Sequence, residues 1–378
     1  MSDLLYSDVE TSLRASVRDL LAQRSPVSRV LSRVEAGGSY DQALWRTLAA
    51  EMGLAGMAVP ERLGGGGASL RESAVVLEEL GRGLAPVPFL SSAVVATTPL
   101  LSAGEGGDLL GKLAAGESVA VLAVPLSTAP PYTAPLSNAS LSTAPGTAWG
   151  AGVTVDNGRL SGVVTSVADA LAADVLLVAA GDGLYAVDAT ADGVTRTPVI
   201  SFDLTRPLAD VTLTGATGRV VAEGPAAASA VSFALTVAAA LLASEQLGVA
   251  EWCLDSTVEY VKIRHQFGRP VGSFQAVKHR LADVWVEVTQ ARAVARYAAD
   301  QAATADSDLP VAASLAQAYV GSVAVKAAEE AVQLHGGIGF TWEHPAHLFL
   351  KRAKSSAVAF GTADRHRQEL ASLVNLPS

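Results

Sequence analysis

The chain has 378 residues, half of them apolar, and its 37 acidic residues against 27 basic ones give a formal net charge of −10. That length exceeds what one hydrophobic core supports, so two or three packed units are expected, and bases dispersed on an acidic background exclude nucleic-acid binding. A single cysteine, Cys253, excludes an internal disulfide and a multi-cysteine metal site.

The mean hydropathy of +0.33 is high, yet it is read as coming from scattered Ala, Val and Leu, so no transmembrane helix and no membrane insertion are expected. The first residues mix acids into an amphipathic pattern without a basic start and apolar block, which makes the cytoplasm the expected location. Cys253 sits in an apolar helical run and is read as a core residue, not a nucleophile.

Taken in order, residues 1–116 read as an α-helical domain, with helical spacing at Leu13, Val17, Leu20 and Leu21 and again at Ala74, Val75, Leu77, Leu80 and Leu84. The glycine-rich stretch Val59–Gly67 interrupts it as a turn, since no Gly-Lys-Ser/Thr follows to make it a phosphate loop. Ser69 and Glu72 form a capping box for the next helix.

Residues 117–222 read as a β-barrel-like middle domain, with strands expected at Val119–Val124, Gly152–Val155, Val175–Val178, Leu184–Val187 and Val211–Leu213. Ser127–Pro145, rich in Ser, Thr, Ala and Pro, has no period and reads as a long loop. Residues 223–378 return to alanine-rich helices, expected at Ala226–Ile263, Ser273–Thr304 and Leu309–Leu334, which should form a four-helix bundle.

Two blocks carry chemistry. The first combines Arg264, Gln266, Phe267 and Gly268, a turn between two long helices, with Phe274, Gln275, Val277, Lys278, His279, Leu281, Ala282 and Asp283. The second runs from Gln333 through His335, Gly336, Gly337, Gly339 and Phe340 to Trp342, Glu343, His344 and Pro345, followed by Lys351 and Arg352. Glu343, His344 and His347 do not have the order of a zinc-binding helix, and Pro345 interrupts any helix there, so structural roles are expected and no metal.

At these positions the chain resembles the acyl-CoA dehydrogenase family, and with Val59–Gly67 and Glu78–Arg82 the resemblance spans nearly the whole sequence. It implies a mainly α fold with a central β domain, FAD at a subunit interface, and α,β-desaturation of an acyl-CoA substrate with electrons leaving to an electron-transfer flavoprotein. It assigns Arg264 to the diphosphate of a neighbour's flavin, where a guanidinium fork suits phosphate oxygens. It also implies apolar packing for Phe267, polar contacts for Gln275 and Gln333, close backbone approach at Gly336 and Gly337, and a contact for Thr362.

The departures are equally specific. The family's usual base, a glutamate before Gly-Thr, corresponds here to Phe360, and the alternative base position on the first bundle helix falls near Ala238. The substrate-contacting acid and arginine of that helix correspond to Thr236 and Ala239. Glu245, about two turns beyond Ala238 on the same face, is the local carboxylate that could replace the base; the alternative is a glutamate salt-bridged at a helix interface.

In the β domain Pro125–Ala129 and Gly162–Ala168 replace the family's two flavin-contacting segments, with Ser166 at the usual tryptophan. Such a chain resembles the degenerate subunit of actinobacterial heterotetrameric dehydrogenases acting on steroid side-chain thioesters. The resemblance implies a homo- or hetero-oligomer, dimer or tetramer, with a second acyl-CoA dehydrogenase subunit as partner. A non-catalytic structural or acyl-CoA-binding subunit is the alternative.

Overall fold

The computed structural model describes residues 4–38, 40–104, 107–132 and 152–376. Most of the expected Ser127–Pro145 loop lies outside them.

The N-terminal third is helical: α1 (Asp8–Arg24), α2 (Val27–Glu35), α3 (Gln42–Arg46), α4 (Leu70–Gly83), a π-helical stretch at Phe89–Ala96 running into α5 (Thr97–Ala103), and α6 (Gly107–Ala114). The Ser69–Glu72 capping box starts α4, Glu72 accepting the Ser69 N–H at 2.9 Å. Val17 and Leu21 point inward from α1, as their spacing requires.

The strands are β1 (Ala120–Leu122), β2 (Val153–Asp156), β3 (Arg159–Ala168), β4 (Val175–Ala180), β5 (Gly183–Asp188), β6 (Val194–Val199), β7 (Leu208–Thr217) and β8 (Arg219–Glu223). They form two four-stranded sheets, in the orders β1-β4-β5-β8 and β2-β3-β7-β6, antiparallel except where β1 pairs with β4. β6 escaped the sequence reading because it is an edge strand carrying Pro198 and burying no side chain, so it has no apolar alternation to detect.

The C-terminal part holds α7 (Gly224–Ile263), a two-residue hairpin of β9 (His265–Gln266) and β10 (Arg269–Pro270), α8 (Gln275–Thr304), α9 (Leu309–His335), α10 (Ala346–Ser356) and α11 (Ala363–Leu373). Here one sequence expectation needs correction. Gly224–Ser244 carries no charged residue, and both α7 and the stretch Leu309–Phe340 are long and apolar enough, by length and composition, to cross a membrane. The apolar window of α7 is 83% buried by the rest of the chain, so it is a core helix whose apolar surface meets protein on every side.

α4 and α7 cross where each offers a glycine. A Cβ on Gly81 would stand 2.1 Å from the Glu245 carbonyl oxygen, and one on Gly248 would stand 1.9 Å from that of Glu78. Ion pairs lock the crossing: Arg14 of α1 reaches Glu78, Glu79 at 2.7 Å and Glu251 at 3.2 Å, and Arg292 of α8 meets Glu251 at 2.7 Å. The N-terminal helices are thereby fixed to the bundle that carries the site.

Candidate active-site and cofactor edge

Arg264 closes α7. Its main chain leaves the helix in an extended conformation and ties the following corner together, the Val271 N–H donating to the Arg264 carbonyl at 2.7 Å. The turn of the hairpin is Phe267 and Gly268, both at positive φ (+52° and +76°), the geometry of a tight primed turn. A phenylalanine there carries backbone strain and is also 91% exposed, its ring edge-on to Phe274 at 6.2 Å. Arg269 lies over the Phe274 ring at 3.9 Å. The Arg264 guanidinium is exposed and, among the described residues, makes no hydrogen bond or ion pair. Gln275, the exposed first residue of α8, stands at the same corner.

The second block ends α9 beside it. Tyr260, one turn before Arg264, stacks on His335 at 4.3 Å and donates its hydroxyl hydrogen to the His335 carbonyl at 3.3 Å. This brings Arg264, Phe267 and Gln275 to the same end of the bundle as Gln333, Gly336 and Gly337, all of them exposed. Gly336 needs its φ of +63°, but nothing lies within 4 Å of a Cβ on Gly337. The chain's own packing therefore does not demand a glycine there; an approaching ligand would.

His335 also stacks against His344 at 4.2 Å. Burial, together with the neighbouring His335 and His347, pushes His344 down to about 4. Neutral packed imidazoles follow. Cys253 is fully buried, which raises its thiol far above the usual range and makes it inert.

Three of the departures noted in the sequence, at Leu126, Ser166 and Phe360, converge. The Leu126 N–H donates to the Ser166 carbonyl at 3.1 Å, and the Phe360 N–H donates to the Leu126 carbonyl at 2.8 Å. Around them Ser91, Val95, Val121, Val124, Ala168 and the Phe360 ring leave a cavity of about 20 Å³, room for one water. A tricyclic flavin ring does not fit there. Two carboxyls stand close by: Asp210 accepts the Ser166 N–H at 2.8 Å, and Asp169, raised chiefly by burial, accepts from the Ser91 hydroxyl at 2.5 Å.

Thr362 caps α11, its hydroxyl accepting the Arg365 N–H at 3.4 Å. Ala238 and Ala239 are wholly buried in the bundle, whereas Thr236 lines a separate pocket of about 250 Å³ with Tyr132, Ser229, Ser232, Phe233 and Leu309.

Glu245 does not suit the role of base. It is 4% exposed, with Arg206 Nη2 at 2.5 and 2.6 Å from its two oxygens and Arg352 Nη1 at 2.9 Å. Burial alone would raise its carboxyl, but Arg206 and Arg352 outweigh that and hold it below the usual range. A proton-abstracting carboxylate needs the opposite shift and access to substrate. Arg352 also binds Asp203 at 2.6 Å and the Thr205 carbonyl at 2.9 Å, so the cluster joins the β domain to α7 and α10. The geometry favours the salt-bridged alternative for Glu245, whose partners could not be named in advance because Arg206 and Asp203 lie in a loop with no motif.

Comparison with known proteins agrees with this architecture. Residues 7–116 match the acyl-CoA dehydrogenase N-terminal domain and residues 228–374 the acyl-CoA dehydrogenase C-terminal domain. The chain is 34% identical to acyl-CoA dehydrogenase IpdE2 of Mycobacterium tuberculosis over 91% of each chain. Among solved structures it is similar to the Tcur3481-Tcur3483 steroid ACAD G363A variant (TM-score 0.83, 32% identity, 97% of this chain and 98% of that one). It is also similar to the ChsE4-ChsE5 complex from Mycobacterium tuberculosis (TM-score 0.83, 26% identity, all of both chains). By its sequence and its fold, this chain belongs to the acyl-CoA dehydrogenase family.

Proposed function

We propose that this chain is one half of an α2β2 FAD-dependent acyl-CoA dehydrogenase in the cytoplasm, completing the cofactor site of a sister chain. The reaction is α,β-desaturation of an acyl-CoA thioester, and an electron-transfer flavoprotein receives the electrons. When bound, the flavin supplies the hydride acceptor. The residues of this chain bind and orient it: Arg264 meets the diphosphate, Phe267 covers its apolar side, and Gln275, Gln333 and the Gly336–Gly337 backbone contact the rest. The carboxylate that removes the α-proton comes from the sister chain.

The observation that carries this reading is a contrast. The seat inside this chain is closed by the bond from Phe360 to Leu126, while the arginine corner is exposed and lacks a partner among the described residues. The two structural relatives named above, a steroid ACAD described by two chain names and a complex of two chains, support a heteromer. The test is co-expression with candidate sister dehydrogenases, followed by a dye-reduction assay over several acyl-CoA thioesters. Turnover should require both chains, and full turnover by this chain alone would overturn the assignment.

A second reading, a subunit that holds a ligand without reacting on it, is favoured by one observation: the Thr236 pocket, which contains no buried carboxylate among its lining residues.

A further inference from the structure

His335 and His344 stand at the two ends of the segment that carries the glycine backbone. His335 is the last residue of α9, His344 comes shortly before α10, and their rings stack at 4.2 Å, so residues 336–343 form a loop closed at its neck by two imidazoles. Each ring has a second aromatic neighbour on α7. Tyr260 lies 4.3 Å from His335, and Trp252, itself stacked on Phe349 of α10 at 3.6 Å, lies 6.2 Å from His344. Because Tyr260 is one turn from Arg264, the contact that closes the loop is anchored next to the arginine corner.

Hydrogen-bond accounting fixes both tautomers. His335 Nδ1 is 2.7 Å from the Ala331 carbonyl, which can only accept, so Nδ1 carries the hydrogen and Nε2 is bare. That Nε2 is buried and has no partner among the described residues. At His344 the assignment is reversed, since its Nδ1 accepts the Ala346 N–H at 3.2 Å and the hydrogen is on Nε2. An added proton has no good place on either ring. On His335 it falls on Nε2, where no acceptor meets it; on His344 it falls on Nδ1 and displaces the N–H that begins α10.

The surroundings offer no countercharge. The ionisable groups that face the pair are Tyr260 from α7 and His347 from α10, with Lys351 of α10 acting in turn on His347. None of these is a carboxylate. Burial is the leading cause that lowers both rings, and no acid offsets it at either one. An opened loop returns its imidazoles towards their ordinary 6.5, so opening is rare above that pH and grows as the pH falls.

We propose that His335 and His344 are positioning residues of the cofactor edge: their stacked, neutral rings hold Gly336 and Gly337 at the end of the bundle that carries Arg264, and a proton on either ring opens the loop. The inference rests on the cofactor role proposed for that edge and adds to it the device that keeps the glycine backbone in place.

The experiment has two arms. In the full chain alone, hydrogen-exchange protection of residues 336–343 is compared at pH 7 and pH 5, with the wholly buried residues 238–242 of α7 as control. Loop protection should fall about tenfold relative to the control on acidification. His344→Ala should lose it at both pH values. His344→Phe, which stacks without titrating, and His344→Asn, which keeps an acceptor for the Ala346 N–H without titrating, should each lose most of the pH response; melting checks that they fold, and either suffices. In the complex with the sister chain, flavin retention through gel filtration at pH 7 should weaken about tenfold in His344→Ala. Unchanged loop protection in His344→Ala, or an undiminished pH response in a folded Phe or Asn variant, would overturn the proposal. A complex whose flavin ignores Arg264→Ala refutes the reading of the edge and this inference with it; one that needs Arg264 but ignores His344→Ala refutes this inference alone.

Discussion

The main-chain N–H of Phe360 donates to the carbonyl of Leu126 at 2.8 Å, joining the loop at the family's base position to the β-domain segment that would otherwise edge a flavin. The position of the family's carboxylate and the β-domain segment at Leu126 are thus tied together by one main-chain bond, with Phe360 lining the small cavity between them.

Restoring the missing acid should not restore function. Phe360→Glu leaves the Leu126 bond in place and sets a carboxyl in a cavity for one water, so the lone variant should show no dye reduction with any acyl-CoA. Phe360→Ala should remove packing from a residue only 6% exposed and destabilise the fold by roughly 3 kcal/mol in urea unfolding.

Glu245→Gln separates a structural role from a catalytic one. It leaves Arg206 and Arg352 buried with one countercharge fewer, a change of about 3–5 kcal/mol in stability. In an assembled enzyme, turnover per folded molecule should be unchanged. A stable variant with abolished turnover would return Glu245 to the active site.

Much of this was legible in sequence. The boundaries of α7, α8 and α9 followed from alanine-rich periodicity flanked by Gly and Pro, and the corner that holds Arg264, Phe267 and Gln275 between α7 and α8 was expected from the family resemblance. What escaped was non-local. Glu245 meets Arg206 and Arg352 across long chain separations, so its pairing, and with it the sign of its pKa shift, cannot be read from the neighbours of position 245. The charge-free run Gly224–Ser244 was overlooked although the sequence shows it plainly; its burial, by contrast, is a property of the bundle and not of the helix.

Acid should loosen the fold through its histidines. Burial is the leading cause that lowers His335, His344, His347 and His366 from 6.5, with His344 and His366 at about 4. The unfolded chain then binds more protons than the folded one below about 6.5, so stability is full above that pH and is lost progressively as pH falls towards 4. Glu10 and Glu245, lowered carboxyls, add to the loss only below their ordinary range. Asp169, raised by burial, has the opposite sign and favours the folded state more at low pH. Urea midpoints between pH 7.5 and 4.5 check the direction: a midpoint that rises on acidification would contradict it.

Gly337→Ala isolates the cofactor edge from the fold. An added methyl has nothing within 4 Å in this chain, so the melting temperature of the lone subunit should stay where it is. In the assembled enzyme the same methyl meets the ligand side, and flavin retention through gel filtration should drop.

The most direct measurement is the ratio of flavin to protein, by visible absorption, in this chain purified alone and in its complex with a sister chain, each with and without Arg264→Ala. The account predicts essentially no flavin on the lone chain, one flavin per pair of unlike chains, and about tenfold weaker retention when the guanidinium is removed. Flavin on the lone chain at one per subunit, or a complex whose flavin is indifferent to Arg264, would contradict it.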